Sequence, residues 1–252
     1  MPTQALVDAA SQVPTASIDP EDRLAVALDF PSASQALAFV DRLEGTCRWF
    51  KVGMELFYAS GSSLIHTLRD RGFEVFLDLK LHDIPNTVAG AVRSVSSIGA
   101  SLLTIHAAGG ERMMAAAAEA ALTPGSPRLL AVTILTSMAE SDLEGIGISA
   151  APSEQVMRLA KLAQASRITG MVCSPLEIAT LRAQLAPSTM LVIPGIRPAS
   201  SVADDQRRVA TPSSAIRDGA SLLVVGRPIT QAPNPAAAAS AILSEIASAN
   251  AS

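Results

Sequence analysis

Leu129-Leu130-Ala131-Val132-Thr133-Ile134-Leu135 is apolar at every position but one. A strand with one wet face alternates apolar and polar residues, whereas a continuous run suits a parallel strand buried on both faces. This run extends over residues 129–136. Seven comparable short runs lie at 24–29, 49–52, 74–80, 101–106, 170–173, 190–193 and 222–226. Between them are amphipathic, Ala-rich stretches at 34–43, 61–71, 87–98, 113–121, 154–166, 176–184 and 211–218, and a last one at 235–247. Strand–helix alternation eight times over is the pattern of an α/β protein built as a single (β/α)8 TIM barrel. A doubly wound parallel sheet is the competing architecture. No internal repeat or linker divides the chain. Residues 21–252 are therefore expected to form one barrel domain, after a flexible N-terminal arm over residues 1–20 that is small, polar and without period.

Composition narrows the function classes. Of 252 residues, 49% are hydrophobic and 17% charged, enough apolar sequence for a sizeable core. Nineteen basic side chains against 23 acidic give a net charge of −4. With no basic excess, neither nucleic acid nor an anionic membrane is an expected partner, and an anionic ligand needs a local cluster of cations. The two cysteines, Cys47 and Cys173, stand in no metal-ligand spacing, so no disulfide framework or zinc site is expected. No segment has the roughly 18 uncharged apolar residues of a membrane span, and the N-terminus has no secretory pattern. A cytoplasmic protein is expected.

The chemistry concentrates in Phe76-Leu77-Asp78-Leu79-Lys80-Leu81-His82-Asp83-Ile84-Pro85-Asn86-Thr87. Asp78 and Lys80 are two apart, so on a strand they share a face, while Leu77 and Leu79 take the other. Facing into the barrel near its C-terminal mouth, they lie where barrel enzymes place their chemistry. Upstream, the first strand ends in Asp29 and the second carries Lys51, so three adjacent strand ends offer four charges of alternating sign at one rim. A structural ion-pair cluster is the plainer reading of such charges. Asp83, taken alone, reads as a cap for the helix beginning near Pro85.

A second constellation lies toward the C-terminus. Ile193-Pro194-Gly195-Ile196-Arg197-Pro198 opens a long loop that runs to Gln206 and reads as a lid. It is followed by Leu223-Val224-Val225-Gly226-Arg227-Pro228-Ile229-Thr230. Loops after the seventh and eighth barrel strands often bind phosphate. Gly226 lets backbone approach a ligand closely, Arg227 supplies a forked cation suited to phosphate, and Gln206 offers an amide donor. Solvated surface arginines are the alternative, which Arg207 and Arg208 fit best. Gly145-Ile146-Gly147 does not read as a dinucleotide loop, because it follows no strand and Ala150 stands where a third glycine is needed. His106 reads as a satisfied rim histidine, His82 as orienting its loop and His66 as lying on a helix surface.

From about Arg23 to Ala241 the chain resembles the orotidine 5′-monophosphate decarboxylases, in particular their shorter bacterial branch. The most specific part is Asp78-Leu79-Lys80-Leu81-His82-Asp83-Ile84-Pro85-Asn86-Thr87. It is supported by Asp29, Lys51, Val132-Thr133-Ile134-Leu135-Thr136-Ser137-Met138, Pro194-Gly195-Ile196-Arg197-Pro198 and Gly226-Arg227-Pro228-Ile229-Thr230. Asp204 departs from the pattern, since a glycine commonly precedes the Asp-Gln pair there, and the N-terminal arm has no counterpart. The resemblance implies decarboxylation of the nucleotide by a homodimer with shared active sites, without metal, flavin or other cofactor. It implies that Lys80 is the proton donor, held by Asp78 and by Asp83 from the partner chain. Thr87 would reach the partner's site as well. Asp29 and Lys51 would bind ribose hydroxyls, Thr136 the pyrimidine, and Arg197, Gln206, Gly226 and Arg227 the 5′-phosphate. Metal-dependent sugar-phosphate lyases share the Asp-x-Lys-x-x-Asp pattern but place a metal-binding glutamate where Lys51 stands. A non-catalytic nucleotide-binding barrel is the remaining alternative.

Overall fold

Leu24, Ala25, Val26 and Ala27 are all buried, and they show why the strands read as continuous apolar runs. Ala25 and Ala27 point into the barrel, where they pack with Phe76, Leu102, Leu130, Val192, Leu222 and Val224. Leu24 and Val26 point outward into the larger core beneath the helices. Both faces are dry, so neither selects polar residues.

The protein is described here from a computed structural model covering residues 19–198 and 209–250. In chain order the elements are β1 (Leu24–Ala27), α1 (Ala33–Asp41), β2 (Trp49–Gly53), α2 (Met54–Ser60), α3 (Ser62–Asp70), β3 (Glu74–Leu81), α4 (Pro85–Ser96), β4 (Leu102–His106), α5 (Gly110–Ala120) and β5 (Arg128–Val132). There follow α6 (Glu140–Gly145), α7 (Pro152–Ala165), β6 (Gly170–Val172), α8 (Ile178–Gln184), β7 (Met190–Ile193), α9 (Pro212–Arg217), β8 (Leu222–Val225), α10 (Arg227–Thr230) and α11 (Pro235–Asn250). Every strand pairs in parallel with its neighbours in sequence, and β1 pairs with β8, so the sheet closes into an eight-stranded barrel. Closure excludes the doubly wound alternative, whose sheet is open.

Three differences from the sequence reading bear on the site. The apolar run at 129–136 leaves the sheet after Val132, and Ile134, Leu135 and Thr136 turn to line a cavity at the barrel mouth. The short helices α2, α6 and α10 lie in the loops that follow strands, where the apolar period is too brief to register. Gly145 ends α6, apart from any strand–helix phosphate turn. Of the expected arm, residues 1–18 lie outside the described residues. Asp19 and Pro20 already belong to the body, with the Asp19 carboxylate accepting the Glu21 N–H at the head of a turn over Pro20–Arg23.

The outward core is the main source of stability. Leu103 on β4 is fully buried within it. Leu103→Ala is expected to lower unfolding free energy by about 2–5 kcal/mol, from lost transfer energy and the cavity left behind; a urea titration followed by far-ultraviolet circular dichroism checks this.

Candidate active site

Four side chains at the C-terminal ends of β1, β2 and β3 form a row. The Lys51 ammonium lies 3.0 Å from Asp29 Oδ1 and 4.0 Å from Asp78 Oδ2, and the Lys80 ammonium lies 2.7 Å from that same Asp78 Oδ2. The order is therefore acid, base, acid, base. Lys51 and Asp78 are only 13% and 14% exposed, so their attraction is little diluted by water. Strand registry puts them side by side, with Ala27 opposite Lys51 and Gly53 opposite Asp78. All four face one cavity.

Asp78 and Lys80 meet as expected, though not through a regular pleat. In the β3–β4 ladder Leu77 pairs with Leu103 and Leu81 with Ile105. Asp78, Leu79 and Lys80 thus stand opposite Thr104 alone. The chain accommodates the surplus by turning Lys80 into the left-handed region, at φ +50°, a conformation that costs a non-glycine residue about 1–3 kcal/mol. Leu79 still packs outward against the helices.

Two residues absent from the sequence reading help shape this row. Thr104 is completely buried, and its hydroxyl joins the Lys80 backbone to the Asp78 carboxylate. The available signal was a lone hydroxyl inside the apolar run Leu102-Leu103-Thr104-Ile105. Gly53 leaves room for Lys51: a Cβ there would stand 3.2 Å from the ammonium nitrogen and 3.8 Å from Asp29 Oδ1.

The same cavity is lined by Thr136 and Ser137 from the loop after β5, Arg197 from the loop after β7, and Gly226 and Arg227 at the end of β8, the strand beside β1, where a Cβ at Gly226 would stand 3.5 Å from Asp29 Oδ2. Arg197 is anchored where the long loop begins and ends. Its N–H donates to Ala210 O at 2.9 Å, while Ala210 N–H donates to Gly195 O at 3.3 Å. Gln206 lies outside the described residues, as do Asp204, Asp205, Arg207, Arg208 and most of the expected lid. Two arginines, a close-approaching glycine backbone, a threonine and a row of alternating charges around one cavity can hold a polar ligand with an anionic end.

Asp83 and Thr87 are not among the residues that line this cavity; both are exposed. Asp83 accepts the Ile84 N–H at 2.6 Å, whereas the N-cap of α4 is Ile84, with no side-chain cap. The helix-capping reading of Asp83 therefore fails. The rings of His82 and His106 lie with centroids 5.3 Å apart, tilted by 35°. Burial, and then the nearby His82 and Lys80, lower the His106 imidazole from its usual value, against a smaller opposing pull from Asp78. His66 is exposed on α3. Among the described residues no group of three or more His, Cys, Asp or Glu side chains is arranged to hold a metal, and no helix is long and apolar enough to cross a membrane.

Residues 22–242 match the family described as Orotidine 5'-phosphate decarboxylase / HUMPS family. The chain is 51% identical over 216 residues to the orotidine 5′-phosphate decarboxylase of Nitrosospira multiformis, covering 86% of this chain and 90% of that protein. It is also 51% identical over 234 residues to the enzyme of that name from Halorhodospira halophila, covering 92% and 99%. The crystal structure of orotidine 5′-phosphate decarboxylase from Lactobacillus acidophilus superimposes with a TM-score of 0.80 at 39% identity, over 89% of this chain and 99% of that one.

Cys173 also lines the cavity, yet it is buried. Burial, and secondarily Glu177, push its thiol up. Burial and Glu21 push Cys47 up to about 12. The thiolate is the reactive form, so neither cysteine of the folded protein is expected to react rapidly with a disulfide reagent at pH 8, whereas both should react after denaturation. A thiol titration with and without guanidinium checks this.

Proposed function

The chain belongs to the orotidine 5′-phosphate decarboxylase / HUMPS family, and from that premise we propose that it converts orotidine 5′-monophosphate to UMP and carbon dioxide, the last step of de novo pyrimidine nucleotide synthesis. The observation that carries this reading is the row Asp29–Lys51–Asp78–Lys80, facing the cavity that Arg197 and Arg227 also line.

Breaking the bond between C6 and its carboxylate releases carbon dioxide and leaves an electron pair on C6, with no adjacent carbonyl to delocalise it. A fixed ammonium beside that carbon stabilises the developing charge and then supplies a proton to it. Lys80 is the group for this task. Asp78 orients it at 2.7 Å, and in the proposed dimer the partner subunit's Asp83 approaches from the other side. Asp83 and Thr87 are exposed and do not line their own cavity, which supports a role in the neighbouring one. Asp29 and Lys51 bind ribose hydroxyls, and Thr136 binds the pyrimidine. Arg197, Gly226, Arg227 and Gln206 hold the 5′-phosphate. Phosphate binding is remote from the reacting carbon, so its energy serves to close the site and exclude water. The reading entails a cytoplasmic homodimer with shared sites, no metal or other cofactor, and a barrel domain over residues 21–252. Where a metal-dependent relative places a metal-binding glutamate, this chain has Lys51, whose ammonium lies 3.0 Å from Asp29 and 4.0 Å from Asp78 and would repel a divalent ion.

The ultraviolet absorbance of orotidine 5′-monophosphate tests the reaction directly. Rapid conversion to UMP, unchanged by excess EDTA, is expected. Lys80→Ala should keep the fold and lower kcat by at least about 10³-fold; near-normal turnover would remove Lys80 from the chemistry. No turnover by the folded wild-type protein, or turnover lost on chelation, would overturn the assignment.

Subunit sharing is tested by mixing. Lys80→Ala and Asp83→Ala dimers, each inactive, should regain activity as subunits exchange, because one of the two sites in a mixed dimer has both native residues. Exchange demonstrated by a mass-labelled subunit without recovered activity would place Asp83 outside the partner's site.

A further inference from the structure

We propose that Thr104 is a positioning residue for the proton donor, setting both the backbone of Lys80 and the rotation of the Asp78 carboxylate. The proposal rests on the decarboxylase reading above. Its origin is the irregularity in β3, where three residues face one on β4. A bulge of this kind leaves ladder groups without their regular partners, and a buried N–H left unpaired is costly. The Lys80 N–H donates instead to Thr104 Oγ1 at 2.8 Å.

The direction of the hydrogen bonds follows from the groups. A backbone N–H only donates and an ionised carboxylate only accepts. The Thr104 hydroxyl therefore receives the Lys80 N–H and gives its own proton to Asp78 Oδ1, 3.0 Å away. With Oδ1 fixed in this way, Oδ2 is the oxygen turned to the Lys80 ammonium at 2.7 Å and to Lys51 at 4.0 Å. One buried hydroxyl thus ties the left-handed backbone of Lys80 to the carboxylate that aims its side chain. Thr104 is not among the residues that line the cavity, so it acts through Lys80 and Asp78 and not on the substrate.

Thr104→Val keeps the shape and deletes the hydroxyl, while Thr104→Ser keeps the hydroxyl and deletes the methyl. If Thr104 positions the donor, Thr104→Val lowers kcat by about ten- to hundredfold, the scale of a hydrogen bond to a charged group. UMP affinity, measured by calorimetry, should stay within about threefold of wild type, and Thr104→Ser should recover most of the lost kcat. A merely structural role would weaken UMP binding along with turnover, and serine would not separate the two. Should Thr104→Val fail to fold, Thr104→Ala against Thr104→Ser presents the same contrast. The proposal is overturned if the hydroxyl-free variant keeps kcat within about twofold of wild type, if it loses kcat and UMP affinity in parallel, or if serine fails to rescue. Absence of turnover in the wild-type enzyme is a different result, and it strikes the decarboxylase reading itself.

Discussion

Charges withdrawn from water must be paired, and at this barrel mouth the pairing runs through four side chains in succession. Lys51 is shared between Asp29 and Asp78, and Asp78 between Lys51 and Lys80. Removing Asp78 would leave the Lys80 ammonium without its 2.7 Å partner in a partly desolvated site, which costs more than losing an exposed pair, while Lys51 would keep Asp29. The row also needs its strands to be neighbours in space, in order and in register. Closure of the parallel sheet meets that need, because β1, β2 and β3 run side by side with their C-terminal ends at one rim.

The same closure keeps the remainder of the barrel apolar. Small residues at Ala25 and Ala27 leave space for the bulk of Phe76, and the outward positions bury leucine, isoleucine and valine beneath the helices. Two buried hydroxyls near the barrel mouth each have a specific partner. Thr133 donates from its hydroxyl to Val172 O at 3.0 Å where β5 leaves the sheet, and Thr104 closes the irregularity in β3. Backbone strain falls at the residue assigned the chemistry: Lys80 adopts φ +50° within a strand that is otherwise extended. Strain of this kind persists only where surrounding contacts over-determine it, and here those contacts are one hydroxyl and one carboxylate.

The division of labour across the cavity follows from the two constellations. The charged row occupies the ends of the first three strands, while Arg197, Gly226 and Arg227 sit on the loops after the last two. In the proposed reaction the nucleotide has its ring near Lys80 and its phosphate near the arginines. Binding energy gathered at the far end is then available to hold the ring in place and displace water around it.

Much of this was legible in residue order. Eight apolar runs separated by amphipathic stretches led to the barrel, and a charge every second residue in Asp78-Leu79-Lys80, with Asp29 and Lys51 on the preceding strands, led to the charged rim. Those features depend on side chains that are near each other in the chain or repeat with a fixed period. What tertiary structure alone decided depends on registry between strands distant in sequence. The surplus residues of β3 are visible only against β4, the use of Thr104 only once that surplus exists, and the space at Gly53 only once Lys51 lies across it. Likewise, only the folded chain shows Asp83 leaving its helix uncapped and standing clear of its own cavity. Periodicity reports which face a residue takes; it carries no information on how two strands slide past one another, and that offset set the geometry around the lysine.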